Sequence, residues 1–404
     1  MASSISSSNP LQQSAATMPE VHDIGRHPLP SGLRRTAADR PGVAQPVPER
    51  DIPDQPWRAI SLTVLVLVVL LTAGWEWKMR QLELVPGDLS GTWDPWAERR
   101  REVDKRDIPV VIVGDSRSLY DTDLDRIAAL TGERPLQLGI AGGNGLLVLE
   151  DLANDPHFKG LVLLGIAEST YFDTRYTTIR TNEALELARW ESPSKRASFQ
   201  IEKVISHGLA MLCDSYQLSN LVIRLDHDWR PGVRGPYHDI WKLEELDHDG
   251  QTRLWRRIDH DTYLSGHARM VWHELLPPFP VGNATVSEVL NRSKVAIDKI
   301  RARGGDVVFF RPPSSPDIRA IEDKHTPRAK AWEPLLAYTH THGIHFDDLP
   351  AAQNLILPEG SHLTHACATV YTDANIRSVV LETPMLRLKA DAPAPLSAAD
   401  CVQR

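Results

Sequence analysis

Hydrophobic and polar positions divide this chain into unlike stretches. Residues 1–56 are rich in Ser and Pro, show no apolar periodicity and carry no Trp, Tyr or Phe before Trp57, which predicts a disordered tail. From Trp57 to Trp75 almost every position is apolar, with one charge, Arg58, near the edge. A run of that length and uniformity predicts a single bilayer-spanning helix over about residues 57–76, because a helix on a soluble core keeps a polar stripe. Trp57, Trp75 and Trp77 flank the run as an interfacial aromatic belt would. A cleavable signal would instead lie at the extreme N-terminus. Arg40, Arg50 and Arg58 precede the span and Lys78 and Arg80 follow it, so charge bias orients it weakly; the expected arrangement is a short tail inside and a large domain outside. Residues 77–106 then read as a juxtamembrane linker. Its charged helix near 93–106, carrying Arg99-Arg100-Arg101, is either solvated or in contact with lipid headgroups.

Beyond residue 107 the period changes to that of an α/β domain. Ile108 to Val113 is a continuous apolar run of the kind a strand buried on both faces needs, and it stops at Gly114-Asp115-Ser116-Arg117. A helix near Asp123–Thr131 follows. A second strand, Leu136–Ile140, precedes Ala141-Gly142-Gly143-Asn144-Gly145 and a helix through Leu146–Ala153; Leu161–Ile166 is a third strand. Glu288–Arg303 has an amphipathic helical pattern, and Asp306–Phe310 and Ile344–Phe346 read as further strands. Strands alternating with helices predict right-handed crossovers and a parallel sheet between two helical layers. About residues 173–282 interrupt the rhythm with a charged stretch rich in His and Trp, read as a helical insertion capping one edge of the sheet. Residues 382–404, rich in Ala and Pro, read as a second disordered tail. The domain is thus expected over residues 107–381.

Composition narrows the chemistry. The 404 residues carry 45 Lys and Arg against 53 Asp and Glu, a net charge of -8, with no basic stripe; nucleic acid is therefore not an expected partner. Cys213, Cys367 and Cys401 match neither a zinc spacing nor an even disulfide framework and read as bystanders. The histidines of the insertion, His227, His238, His248, His260, His267 and His273, lack ligand spacing, so neither a metal nor another cofactor is expected.

Three loops concentrate candidate chemistry where strands of an open α/β sheet end. Ser116 follows a buried strand on a turn opening a helix, where local amides favour negative charge, a setting suited to a nucleophile; the alternative is that Asp115 or Ser116 only caps the helix. Gly142-Gly143-Asn144-Gly145 offers closely approaching amides and a side-chain donor, as an oxyanion hole requires, or else a flexible turn. In Pro358-Glu359-Gly360-Ser361-His362, an acid three residues before a histidine can fix its tautomer and turn its other nitrogen toward a hydroxyl, whereas a surface turn would leave the histidine idle. Arg311, at a strand end before Pro312-Pro313, is a candidate substrate contact or a salt-bridge partner.

Strand–Gly-Asp-Ser–helix, a Gly/Asn loop after the second strand and a final acid-x-x-His before the last helix together resemble the SGNH, or GDSL, hydrolase superfamily over about residues 107–172 and 286–381. The resemblance implies a three-layer flavodoxin-like α/β/α fold. It also implies Ser116 as nucleophile, His362 and Glu359 as base and acid, and an oxyanion hole of the Ser116 amide, a Gly amide, here Gly143, and an Asn side chain. Arg117 stands where Leu is usual and becomes a possible substrate contact; Glu359 stands where Asp is usual. The GxND block is missing: Gly165-Ile166-Ala167-Glu168 is read as having Glu in the place of its Asn, with Asn144 as substitute donor. Within the superfamily the chain is similar to membrane-anchored bacterial proteins of O-acetylation of exported polysaccharides. The implied activity is a serine esterase or O-acyltransferase on an ester-bearing envelope polysaccharide or lipid, held at the inner (plasma) membrane with its domain on the periplasmic side; the alternative is an inactive SGNH-like binding or assembly protein. Asp121-Thr122-Asp123 also suggests a phosphoryl-transfer DxD, which sits too far past the strand end, and, with Asp125, a calcium loop, which fails at Arg126 and Gly132.

Overall fold

A computed structural model describes residues 55–173, 177–225, 240, 242–247, 250–276 and 280–402. The expected N-terminal tail, apart from its last two residues, and His227, His238 and His248 lie outside the described residues.

Helix α1, Trp57–Gln81, has a mean hydropathy of 2.0 over its apolar window, none of which is buried against protein, and is long and apolar enough to cross a membrane. The chain divides into two compact units at Leu70/Leu71, inside this helix. In the second unit α2, Asp94–Val103, is followed by β1, Val110–Val113, the short helix α3, Ser116–Tyr120, and α4, Leu124–Thr131. Then come β2, Leu136–Gln137, α5, Gly145–Asn154, β3, Leu161–Gly165, and α6, Glu168–Tyr171. The insertion holds α7, Thr177–Trp190, α8, Pro193–Ser206, α9, Leu218–Leu225, β4, Glu244–Leu246, β5, Thr252–Leu254, and α10, Thr262–Leu275. The chain closes with α11, Asn283–Arg301, β6, Asp306–Arg311, α12, Pro316–His325, α13, Trp332–Thr339, β7, Gly343–His345, and α14, His365–Glu382.

Five strands form a parallel sheet in the order β2-β1-β3-β6-β7. Side chains alternate between its faces, as the two-residue period of a strand dictates. Val111, Val113, Val162, Leu164, Val307 and Phe309 pack on one side with α5, α11 and α13. Val110, Ile112, Leu161, Leu163, Val308 and Phe310 pack on the other with α4 and α14. Both faces are covered, which is why the strands read as uninterrupted apolar runs. The loops after β1, β2, β3 and β6 therefore gather along one edge of the sheet.

Three expectations about the periphery are corrected. Residues 77–106 are no free linker: Met79, Leu84, Leu89, Trp96, Ala97 and Val103 are buried, and Asp88 is buried against Lys242 of the insertion. The arginines of α2 face protein, with Arg100 on Asp151 and Asp155, Arg101 on Glu191, and Arg99 Nε donating to the Gln137 carbonyl at 2.8 Å. The insertion is not wholly helical, since β4 and β5 pair antiparallel, and its Gln251 bonds the Leu124 amide and the Thr122 carbonyl at the start of α4.

Residues 384–402 form a strap rather than a loose tail. Leu386 and Cys401 are buried, the Lys389 and Leu396 amides donate to the Leu130 carbonyl and Asp373, and Cys401 is disulfide-bonded to Cys367 on α14, so two cysteines are structural. Closing 34 residues of chain removes unfolded-state entropy worth roughly 3–4 kcal/mol. Cys401→Ser is accordingly expected to lower unfolding stability by up to that amount in urea titrations, and reductant to do the same to the wild type but nothing further to the variant. Equal midpoints for wild type and variant without reductant would show that the bridge contributes nothing.

Candidate active site

The sharp exit from β1 depends on Gly114. Its φ is +147°, and a Cβ there would collide with the Ser118 side chain and stand 2.7 Å from the Gly165 carbonyl oxygen. Asp115 caps α3, accepting from the Arg117 amide at 3.1 Å, and its other oxygen accepts from Thr170 Oγ1 at 2.6 Å. Ser116 takes the first helical position and is the one partly exposed residue of the stretch from Val110 to Asp123.

His362 reaches that serine from the far end of the chain. Its Nε2 lies 2.8 Å from Ser116 Oγ, across 246 residues of sequence, and its Nδ1 lies 2.5 Å from Glu359 Oε1. A carboxylate can only accept, so Nδ1–H donates to Glu359 and Nε2 is left to accept the Ser116 proton. Glu359 is wholly buried and takes four donors: the His362 ring, the His362 amide at 2.8 Å, the Ser361 amide at 2.9 Å and Trp272 Nε1 at 2.5 Å. Burial alone would favour its neutral form; the charge and hydrogen bond of His362, with the other donors, outweigh this and hold Glu359 below the ordinary carboxylate range. Gly360, at φ +93°, supplies the left-handed turn that lets the acid fold back under the imidazole.

Two residues absent from the sequence reading hold the ring. Trp272, on α10 of the insertion, packs edge-on against His362 at 5.7 Å while bonding Glu359, and Tyr120 packs on His362 at 4.7 Å while its hydroxyl donates to Glu244 of β4 at 2.8 Å. The insertion thus bears on the Ser116–His362–Glu359 arrangement itself, not merely on an edge of the sheet. An isolated Trp or Tyr carries no sequence signal for such a contact. Asp121 is a further buried carboxyl; it accepts from the Leu363 amide at 2.8 Å, and burial, partly offset by His362, pushes its pKa up to about 7. His365 faces away, its Nε2 donating to the Leu254 carbonyl at 2.7 Å.

The expected oxyanion hole is not assembled from Gly143 and Asn144. The Gly143 amide donates to the Ile140 carbonyl at 2.8 Å. Asn144 caps α5 through Oδ1, and its Nδ2 bonds the Thr170 and Asp173 carbonyls at 3.0 and 2.9 Å, with both of its polar atoms committed to the fold. The Ser116 amide, first in α3, carries no such commitment among the described residues. Counted from Gly165, Ala167 holds the third place of the expected Gly-x-Asn-Asp and Glu168 the fourth, so no side-chain donor stands there.

Arg117 and Arg311 are not substrate contacts either; for Arg311 the alternative reading, a salt-bridge partner, holds. They are 4% and 0% exposed and belong to a buried quartet with Glu168 and Glu322. Arg117 Nη2 and Arg311 Nη2 each lie 2.6 Å from Glu322, Arg311 Nε lies 3.2 Å from Glu168, and Arg117 Nε donates to Ser361 Oγ at 3.2 Å. The aspartates of the DxD and calcium-loop readings are structural: Asp121 accepts from the Leu363 amide, Asp123 caps α4 and Asp125 pairs with Arg134. Among the described residues no group of three or more His, Cys, Asp or Glu side chains is arranged to hold a metal ion. No family model matches this chain, and no curated protein matches it.

Proposed function

We propose that this chain is a membrane-anchored serine esterase or O-acyltransferase of SGNH type, in which Ser116 is the nucleophile, His362 the general base and Glu359 the residue that orients it. The observation that carries the proposal is the unbroken relay Ser116 Oγ–His362–Glu359, at 2.8 and 2.5 Å, drawn from segments 246 residues apart. The sheet order β2-β1-β3-β6-β7 supports the flavodoxin-like reading of the fold, being that of doubly wound sheets which bind ligands at strand ends.

Chemically, His362 Nε2 takes the Ser116 proton as Oγ attacks an ester carbonyl. The resulting oxyanion is stabilised by the Ser116 amide at the start of α3. His362 then returns the proton to the departing alcohol oxygen, leaving an acyl-Ser116 ester, which water or a sugar hydroxyl attacks with His362 again as base. The substrate is an ester of an envelope polysaccharide or lipid. The Cys367–Cys401 disulfide favours an oxidising compartment, and with α1 as anchor this supports a domain on the periplasmic side of the inner (plasma) membrane.

The commitment of Gly143 and Asn144 to the fold favours a second reading, a non-catalytic binding or assembly protein of the envelope. A fluorophosphonate probe separates the two. Wild type is expected to be labelled and Ser116→Ala not, whereas folded wild type that stays inert supports the binding protein.

A further inference from the structure

Helices α8 and α9 carry apolar side chains on the side away from the protein. On α8, Phe199 is buried beside Leu89 and Leu246, while Ile201, Val204 and Ile205, spaced three and four apart on one face, are 60%, 77% and 52% exposed. On α9, Leu221 packs inward, whereas Leu218 and Val222, one turn apart, are 68% and 54% exposed. Trp190, at the end of α7 and just before α8, is 83% exposed. A soluble surface rarely gathers so many large apolar groups on neighbouring elements.

What covers them is indicated by where their connection is tied. The segment joining α8 to α9 is gripped by the last turns of α1: the Ala210 and Met211 amides donate to Glu76 at 3.0 and 2.8 Å, and Arg80 Nη2 donates to the Gly208 carbonyl at 3.0 Å. Glu76 and Arg80 follow directly on the apolar run that ends at Trp75, so along the chain this corner lies within a turn or two of helix from residues that need lipid. Exposed Trp77 and Lys78 stand in the same turns, the residue types that anchor at headgroup level.

We propose that α8 and α9 lie in the surface of the bilayer that α1 crosses, with Ile201, Val204, Ile205, Leu218 and Val222 sunk among the acyl-chain ends. This rests on α1 being membrane-spanning and is independent of the catalytic reading. The function it implies is to hold the domain against the membrane.

Spin labels test it in the full-length protein reconstituted in vesicles of phosphatidylethanolamine and phosphatidylglycerol. Single cysteines replace Val204, Val222, Val66 of the apolar run and Leu381 of α14 in turn, in a Cys213→Ser background. Labels at 204, 222 and 66 are expected to show a several-fold higher ratio of oxygen to nickel-chelate accessibility than the label at 381, which is 83% exposed in the native chain. A lipid signature at 66 with a water signature at 204 and 222 overturns the surface contact while leaving the anchor intact; a water signature at 66 removes the anchor and the proposal with it. Spin–spin broadening between labels at 204 on separate copies would show that the face is covered by a second chain instead.

Discussion

His362→Ala is expected to lower kcat for hydrolysis of a simple activated ester such as p-nitrophenyl acetate by roughly four to six orders of magnitude, about 5–8 kcal/mol of transition-state stabilisation. Without the imidazole, Ser116 has no base within reach, because Glu359 touches only the far nitrogen and His365 is turned toward Leu254. Ser116→Ala should fall to the same floor, and the double variant no further, since the two act as one unit. Glu359→Gln keeps the shape but offers the wrong partner to Nδ1–H, and a loss of about 10⁴ is expected. Trp272→Phe removes one buried donor to a charged acceptor, worth about 1.5–3 kcal/mol, and a 10- to 100-fold loss in kcat with little change in KM follows. His365→Ala should stay within a few-fold of wild type. If His365→Ala abolishes turnover while His362→Ala retains it, the base has been assigned to the wrong histidine.

The parts of this site legible in the sequence are those fixed by local spacing. A buried strand ending in Gly-Asp-Ser and an acid three residues before a histidine are short-range patterns whose geometry follows from one turn of backbone. The misread parts depend on partners far away in the chain. Asn144 has the chemistry of an oxyanion donor, but the carbonyls of Thr170 and Asp173, brought in by α6, occupy it first. Arg311 leaves a ligand contact and a salt bridge both open, and Glu168 and Glu322, 143 and 11 residues away, decide for the second. Trp272 lies 87 residues from Glu359, in a stretch readable only as a helical insertion over one edge of the sheet. The C-terminal strap misled for a related reason: its composition is that of a disordered segment, and a disulfide, a few backbone bonds and the packing of Leu386 into the core beside α14 keep it in place.

The buried quartet makes the second large prediction. Glu322 is 2% exposed, and although burial opposes its ionisation, the Arg117 and Arg311 charges outweigh that and hold its pKa at about 2. Replacing it by Gln leaves two guanidiniums facing the single carboxylate of Glu168, and breaking a buried pair in this way costs about 3–5 kcal/mol of unfolding free energy at pH 7. The sign of the pH dependence follows from the depressed pKa. The stabilisation is fully present above the unfolded carboxyl's value, near 4.5, and is lost as pH falls through that value toward 2. The gap between wild type and Glu322→Gln in urea unfolding should therefore narrow by about 2 kcal/mol between pH 7 and pH 3. A gap under about 1 kcal/mol at pH 7, or one that does not change with pH, would refute the assignment of Glu322 as the hub of the quartet. The position of the cluster explains why so costly an arrangement belongs there. Arg117 follows Ser116, Ser361 precedes His362, and the bond between Arg117 and Ser361, braced by Glu322, ties the start of α3 to the histidine loop. Glu322→Gln should therefore lower kcat as well as stability in protein that is still folded, because Ser116 and His362 lose the strut that sets their 2.8 Å separation.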